Sequence, residues 1–284
     1  MLSIIGITPH PPIIIPEVGR GRLSEVRQTV DAMKLLSGRI KETEPELMVI
    51  ITPHGQIVTE GPAVLTQEQL TGDFGQFGSP DTGLTIKNDR QLIDLLVEET
   101  SNEPIRPALI GDTYHGARSR KNLDHGALVP LYYLQKAGVE VPGVHITISF
   151  QPYQQLYQFG RALRRAVENR GVPTAVITSG DLSHRLTRGA PAGFNPQGAE
   201  FDRRLVRLLR DARVQDILEF DQQLVEEAGE CGLRSFIIGL GMFDGENFKP
   251  EILSYEGPFG VGYLVAALHP EHSAKSTAGE MEVY

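Results

Sequence analysis

Leu2-Ser3-Ile4-Ile5-Gly6-Ile7-Thr8-Pro9-His10 and Leu47-Met48-Val49-Ile50-Ile51-Thr52-Pro53-His54 are two versions of one phrase. Each is an apolar run rich in β-branched residues and closed by Thr-Pro-His. Such a run, ended by a proline, reads as a buried strand. Both histidines therefore fall just past the C-terminal end of a strand, on the rim where open α/β sheets bind ligands. A lone histidine there is more often a cap or a donor to a backbone carbonyl. Two in the same setting point instead to paired metal ligands, because neutral imidazole is a common one.

Outward from these strands, Leu23, Val26, Val30, Met33, Leu36 and Ile40 recur at helical spacing and predict one amphipathic helix ending before Pro45. Residues 55–87, rich in Gly, Thr and Asp, give weak strand signals. A short helix is expected around Leu92 to Val97, then a long polar loop over 104–124. Beyond it the spacing predicts a helix from near Gly126, a strand over Val144–Ile148 and a helix stopping at Gly171. A strand from Pro173 to Thr178 runs into Ser179-Gly180-Asp181-Leu182-Ser183-His184. The chain is then mostly helical to Phe243 and closes with a strand pair, Ile252–Tyr255 and Gly262–Ala267. This alternation predicts a single layered α/β domain over residues 1–270, with a mixed, mostly parallel central sheet flanked by helices. Residues 271–284 read as a polar tail. The flanks of the two Thr-Pro-His phrases do not match, so they are not an internal repeat.

The net charge of −9 argues against a nucleic-acid binder. The arginines at 203, 204, 207 and 210 are interrupted by Asp202 and Asp211 and read as a solvated helix face. A single cysteine, Cys231, excludes an intrachain disulfide and fits a reducing compartment. With no basic leader and no apolar run near the ~20 residues of a membrane span, a soluble cytoplasmic protein is expected.

Five further residues carry candidate chemistry. His184 follows a strand and suits a metal ligand or a general base; Asp181, three residues earlier, can orient it, act itself or cap a helix. His125 opens a helix, where the partial positive charge disfavours imidazolium and suits donation to an oxygen anion. Glu230 can complete two histidines into a facial triad that leaves coordination positions open, the arrangement of non-haem Fe(II). Cys231 offers instead a thiolate for zinc or copper, or a small buried side chain. His115, His145, His269 and His272 get structural readings. The glycines of 257–262 lack the strand-turn-helix order of a dinucleotide loop.

Together, His10, His54, Leu123-Asp124-His125-Gly126, Ser179-Gly180-Asp181-Leu182-Ser183-His184 and Glu230 resemble the LigB-type, class III extradiol ring-cleaving dioxygenases. The likeness runs from the first strand to Ala267. Asp124-His125-Gly126-Ala127-Leu128-Val129-Pro130-Leu131 and Tyr255-Glu256-Gly257-Pro258-Phe259-Gly260-Val261-Gly262-Tyr263 resemble the branch found beside AMMECR-type domains, with Memo-like proteins and radical SAM enzymes. The resemblance implies an oxidoreductase that inserts O2 into a small catechol-like or aminophenol-like ring, as in aromatic catabolism. It implies Fe(II) on His10, His54 and Glu230, with His184 as acid–base residue and His125 as second pocket histidine. Relatives pair with themselves or a second subunit, which implies a homodimer, and an AMMECR-type or radical SAM protein as partner. The pair Cys231-Gly232 departs from the ring-cleaving pattern and resembles the Memo proteins. Two alternatives therefore stand: a Memo-like metal- or ligand-binding protein acting through a partner, with Cys231 as third ligand, and a zinc-dependent hydrolase.

Overall fold

The computed structural model describes residues 1–114, 117–118 and 123–271. Strand β1 (Leu2–Thr8) is followed by a short turn α1 (Pro16–Gly19), a 3-10 segment and helix α2 (Arg27–Glu42). Strand β2 (Leu47–Thr52) leads to β3 (Ala63–Leu65), the hairpin β4 (Gln69–Phe74) and β5 (Ser79–Lys87), helix α3 (Arg90–Glu99) and β6 (Ala108–Ile110). The two-residue strands β7 (Thr113–Tyr114) and β8 (Ala117–Arg118) precede α4 (His125–Lys136), β9 (Gly143–Thr147), α5 (Tyr153–Arg170) and β10 (Thr174–Ser179). Helices α6 (Pro196–Arg210), α7 (Val214–Leu218), α8 (Gln222–Ala228) and α9 (Leu233–Gly241) follow, and β11 (Phe248–Glu256) and β12 (Tyr263–Pro270) close the chain.

Eight strands make one mixed sheet in the order β11-β12-β1-β10-β2-β9-β3-β6. Its centre, β1-β10-β2-β9, is parallel throughout, and antiparallel pairs join β11 to β12, β12 to β1 and β3 to β9. The apolar runs are continuous because both faces are covered. Ile4, Met48, Ile50 and Ile177 pack with α2 and α4, while Ile5, Ile7, Leu47, Val49 and Ile51 pack with α3, α5 and α9. Each such fully buried side chain stabilises the fold by roughly 1.5–3 kcal/mol. The expected α/β architecture is thus the observed one, including the closing strand pair.

Three local expectations differ. The helix expected from Leu23 is α-helical only from Arg27; Leu23 and Val26 lie in the 3-10 segment, which begins at Arg20 with a positive φ of 47°. Residues 55–87 hold a bent hairpin whose β5 alternates half-buried and exposed residues, so only part of its pattern is apolar. The long loop over 104–124 contributes β6 to the sheet edge. His115, His272 and all of the expected tail except Glu271 lie outside the described residues. No helix among the described residues is long and apolar enough to cross a membrane.

Candidate metal centre

The strand order positions the site. β1, β10 and β2 are adjacent and parallel, so the segments after their C-terminal ends emerge side by side, about 4.8 Å apart from strand to strand. They carry His10, Ser179 to His184, and His54. His10 is 2% exposed; its Nε2 lies 2.9 Å from Nε2 of His54, and its Nδ1 lies 3.0 Å from Ser179 Oγ. A proton on Nδ1 held by Ser179 leaves the Nε2 lone pair facing His54, which is how an outer partner orients a ligating ring.

His125 joins them from the first residue of α4. Asp124 caps that helix: its Oδ1 accepts from Gly126 N at 2.8 Å and from Thr52 Oγ1 at 2.7 Å. Its Oδ2 lies 2.8 Å from His145 Nε2. The cap therefore ties α4 to β2 and β9 at once. The β4–β5 hairpin braces the same point, with Leu123 N donating to Thr71 O and the Phe77 ring edge-on to His125 at 5.5 Å. The His125 ring stacks on His54 at 4.4 Å. Among the described residues, His10, His54 and His125 are the set whose ligand atoms all lie within 4.8 Å of one another.

Asp181 and Cys231 close the other side. His10 N donates to Asp181 Oδ1 at 3.0 Å, Asp181 N donates to Cys231 Sγ at 3.3 Å, and Gly232 N donates to Asp181 O at 3.0 Å. Gly180 and Gly232 are required here, since a Cβ on Gly180 would stand 2.0 Å from the Gly232 backbone. Cys231 Sγ lies 3.7 Å from His10 Nε2. Glu230 stands outside the histidine cluster: its Oε2 accepts from Leu233 N at 2.6 Å, at the start of α9. His184 is half-buried, and its Nδ1 is shut off from solvent with no hydrogen-bond partner among the described residues.

The electrostatics favour neutral rings. Burial, then the neighbouring imidazoles, push His10 well below the ordinary histidine range and His54 down to about 4; Asp124 opposes both. Burial also lowers His125 against the pull of Asp124, and lowers His184 against the Gly229 and Leu182 backbone. Burial would raise Asp124, but His145 and the Thr52 hydroxyl hold it well below the usual carboxylate range. Asp181 and Glu230 have no such donors in strength; burial lifts each to about 7, and lifts the Cys231 thiol well above its usual value. At neutral pH the centre is thus a group of uncharged imidazoles beside one firmly ionised carboxylate, a donor set that fits a divalent cation.

Of the residues read from sequence, His10, His54 and His125 come together, Cys231 and Asp181 border them, and His184 lies near enough for its charge to act on His10 and His54. Ser179, Thr52 and His145 were not singled out for these roles. Their signal is weak, since a strand Ser, Thr or His carries no motif of its own.

A cluster of neutral imidazoles on the C-terminal rim of a mixed α/β sheet defines a site able to hold a metal ion. The chain matches, over residues 5–266, the family described as the catalytic LigB subunit of aromatic ring-opening dioxygenase, and it belongs to that family. It is 37% identical over 277 residues to protein CA_C1420 of Clostridium acetobutylicum, covering 97% of this chain but spanning only 59% of that relative's length. It is 24% identical to the 3,4-dihydroxyphenylacetate 2,3-dioxygenase of Escherichia coli, over 79% of this chain and 83% of that one. It is 23% identical to the 2-aminophenol 1,6-dioxygenase beta subunit of a Pseudomonas species, over 91% of each. The fold is similar to the crystal structure of the uncharacterised protein JW3007 of Escherichia coli K12, with a TM-score of 0.62, 18% identity and coverage of 93% of this chain and 99% of that one.

Proposed function

We propose that this chain is a metal-dependent extradiol dioxygenase, using Fe(II) and O2 to open a catechol-like or aminophenol-like ring. The observation that carries the reading is the convergence of His10, His54 and His125, all held neutral, at the ends of adjacent parallel strands. His10 and His54 would hold the cation from two fixed strand ends. His125 is the third histidine of the cluster and the third donor of this reading; Glu230 has one oxygen, Oε2, engaged by Leu233 N. The chemistry the metal supplies when bound is a common coordination centre for the diol oxygens and O2.

The protein supplies the proton handling. His184 has a lowered pKa and a buried Nδ1 that donates to nothing and accepts from nothing among the described residues. It suits the group that takes the proton of a substrate hydroxyl. His125, where not a ligand, faces the same space with its ring fixed by Phe77 and the Asp124 cap, and suits donation to an oxygen anion. Asp181 orients His10 through its backbone N–H and is poised near neutrality, so it can share a proton with the site. One observation favours a second reading, a Memo-like binding site with a softer metal: Cys231 Sγ stands 3.7 Å from His10 Nε2.

The test is oxygen uptake by protein reconstituted anaerobically with Fe(II), offered catechol and 2-aminophenol. Uptake coupled to a new ring-opened chromophore, abolished in His184→Gln but retained in Cys231→Ser, supports the dioxygenase. Metal binding that depends on Cys231, with no uptake on either ring, supports the second reading.

A further inference from the structure

A cavity of about 380 Å³ lies between α1, α2 and α4, lined by residues that the metal centre does not use. Small-molecule sites run to roughly 300–1,000 Å³, so it has room for one compact ligand. Its two ends differ. One is aliphatic, with Pro16, Leu23 and Val30. The other carries Lys34 and Ser37 from α2 and Lys136 from α4. Val30, Lys34 and Ser37 stand at i, i+4 and i+7, so they run along one face of α2 from apolar to polar. Two tyrosines of α4 hold the aliphatic end in place: Tyr132 OH donates to Glu17 at 3.0 Å, and Tyr133 OH donates to Ile14 O.

The polar end has donors and no acceptor. Ser37 is 3% exposed, and its hydroxyl has no hydrogen-bond partner among the described residues. Thr43 and Thr100, at the ends of α2 and α3, instead return their hydroxyls to carbonyls of the turn before. Buried polar groups are as a rule hydrogen-bonded, and a helical serine has that carbonyl within reach. Lys34 and Lys136 are exposed at the mouth and have no acidic partner among the described residues. The acids nearby are taken, Glu17 by Tyr132 and Asp31 by Arg27 at 3.5 Å. The Lys136 ammonium is held over the Tyr132 ring, 5.3 Å from its centre. With a face of Tyr132 so covered and the far end lined by aliphatic side chains, the cavity suits an alkyl chain better than a ring. A second copy of the chain is the poorer occupant. A twofold contact repeats one patch on both sides, and here it would set these lysines against their copies.

We infer that this cavity binds an aliphatic carboxylate, with its head on Lys34, Ser37 and Lys136 and its chain along Val30 toward Leu23 and Pro16. The two ammonium groups supply charge without a fixed geometry. The Ser37 hydroxyl supplies the directional hydrogen bond, and the aliphatic end takes the chain out of water. The site stands apart from the histidine cluster: His125 opens α4 and Lys136 closes it. It does not rest on the dioxygenase reading.

The experiment is calorimetry on the full chain without added metal, using octanoate, octanol and acetate as probes. Octanoate should bind about tenfold or more tighter than octanol, through its charge, and about tenfold or more tighter than acetate, through its chain. Lys34→Gln combined with Lys136→Gln should bring octanoate down to the level of octanol. Ser37→Ala should weaken octanoate more than octanol, Leu23→Ser should weaken both alike, and His54→Ala should change neither. The lysines are exposed and alanine favours a helix, so these variants keep the fold. Octanoate bound no tighter than octanol by the wild type, or equally tightly by the double lysine variant, would overturn the site. Octanoate binding lost in His54→Ala but kept in the double variant would move the anion to the histidine cluster and overturn it likewise. A dimer on sedimentation that the double variant dissolves and octanoate leaves intact would give the groove to a second copy instead.

Discussion

His10 and His54 act as a pair because each has a different support. His10 is fixed from behind by Ser179 and at its backbone by Asp181; His54 is fixed by the stack with His125. Outer partners of this kind typically govern metal affinity by about 10–100-fold. Ser179→Ala should therefore weaken metal binding by about that factor while leaving the far-ultraviolet circular dichroism unchanged, and an unchanged affinity would remove Ser179 from the site. The lowered pKa of His54, about 4, sets a pH dependence. The ligating form is neutral imidazole, so proton competition begins only as pH falls toward the folded-state value. Metal retention should stay flat as pH falls through about 6.5 and decline below about 5, followed by dialysis against buffers of graded pH. A midpoint near 6.5 would mean that the rings are as open to water as free histidine. At this scale the sequence showed the pair plainly, because the Thr-Pro-His phrases end strands. It could not show that Asp124 caps the helix that carries His125 into the cluster or that Glu230 accepts from Leu233 N; both depend on how two helices begin.

At the scale of elements, the segment carrying His184 is pinned by a buried carboxylate. Asp202 on α6 is 0% exposed; its Oδ1 accepts from Ser183 N at 2.9 Å and its Oδ2 from Tyr255 OH at 2.7 Å. Burial raises it to about 6, although Tyr255 and Ser183 pull the other way. A carboxyl raised on folding favours the protonated fold, so its stabilisation is complete below the unfolded pKa near 3.9 and is lost as pH rises through about 6. The Asp202→Asn variant carries an uncharged amide in place of the protonated carboxyl and does not titrate there. Between about pH 4.5 and 7.5 the wild type should lose roughly 1–3 kcal/mol relative to that variant, measured by urea unfolding at the two pH values. Parallel pH profiles would contradict the assignment. Helices and central strands were legible because their apolar periods are long. The β4–β5 hairpin was not, since its half-exposed strands dilute the alternation, and so Phe77 escaped notice as a neighbour of His125.

Across the whole molecule, function follows from strand order. β10 lies between β1 and β2, so the last of three parallel strands in sequence places Ser179 and Asp181 between two histidines that are 44 residues apart. Alternation of strands and helices announces such a sheet, but not which strands are neighbours, because pairing between strands so distant in sequence leaves no local trace. The relative from Clostridium acetobutylicum extends beyond the region this chain spans.

The central claim is a mononuclear metal centre built on His10 and His54. Its most direct test is the metal content of anaerobically purified protein reconstituted with Fe(II), beside His54→Ala, His125→Ala and Glu230→Gln. About one iron per chain is expected, lost in His54→Ala and weakened in His125→Ala more than in Glu230→Gln. No iron in the wild type, or one iron per chain retained in His54→Ala, would contradict it.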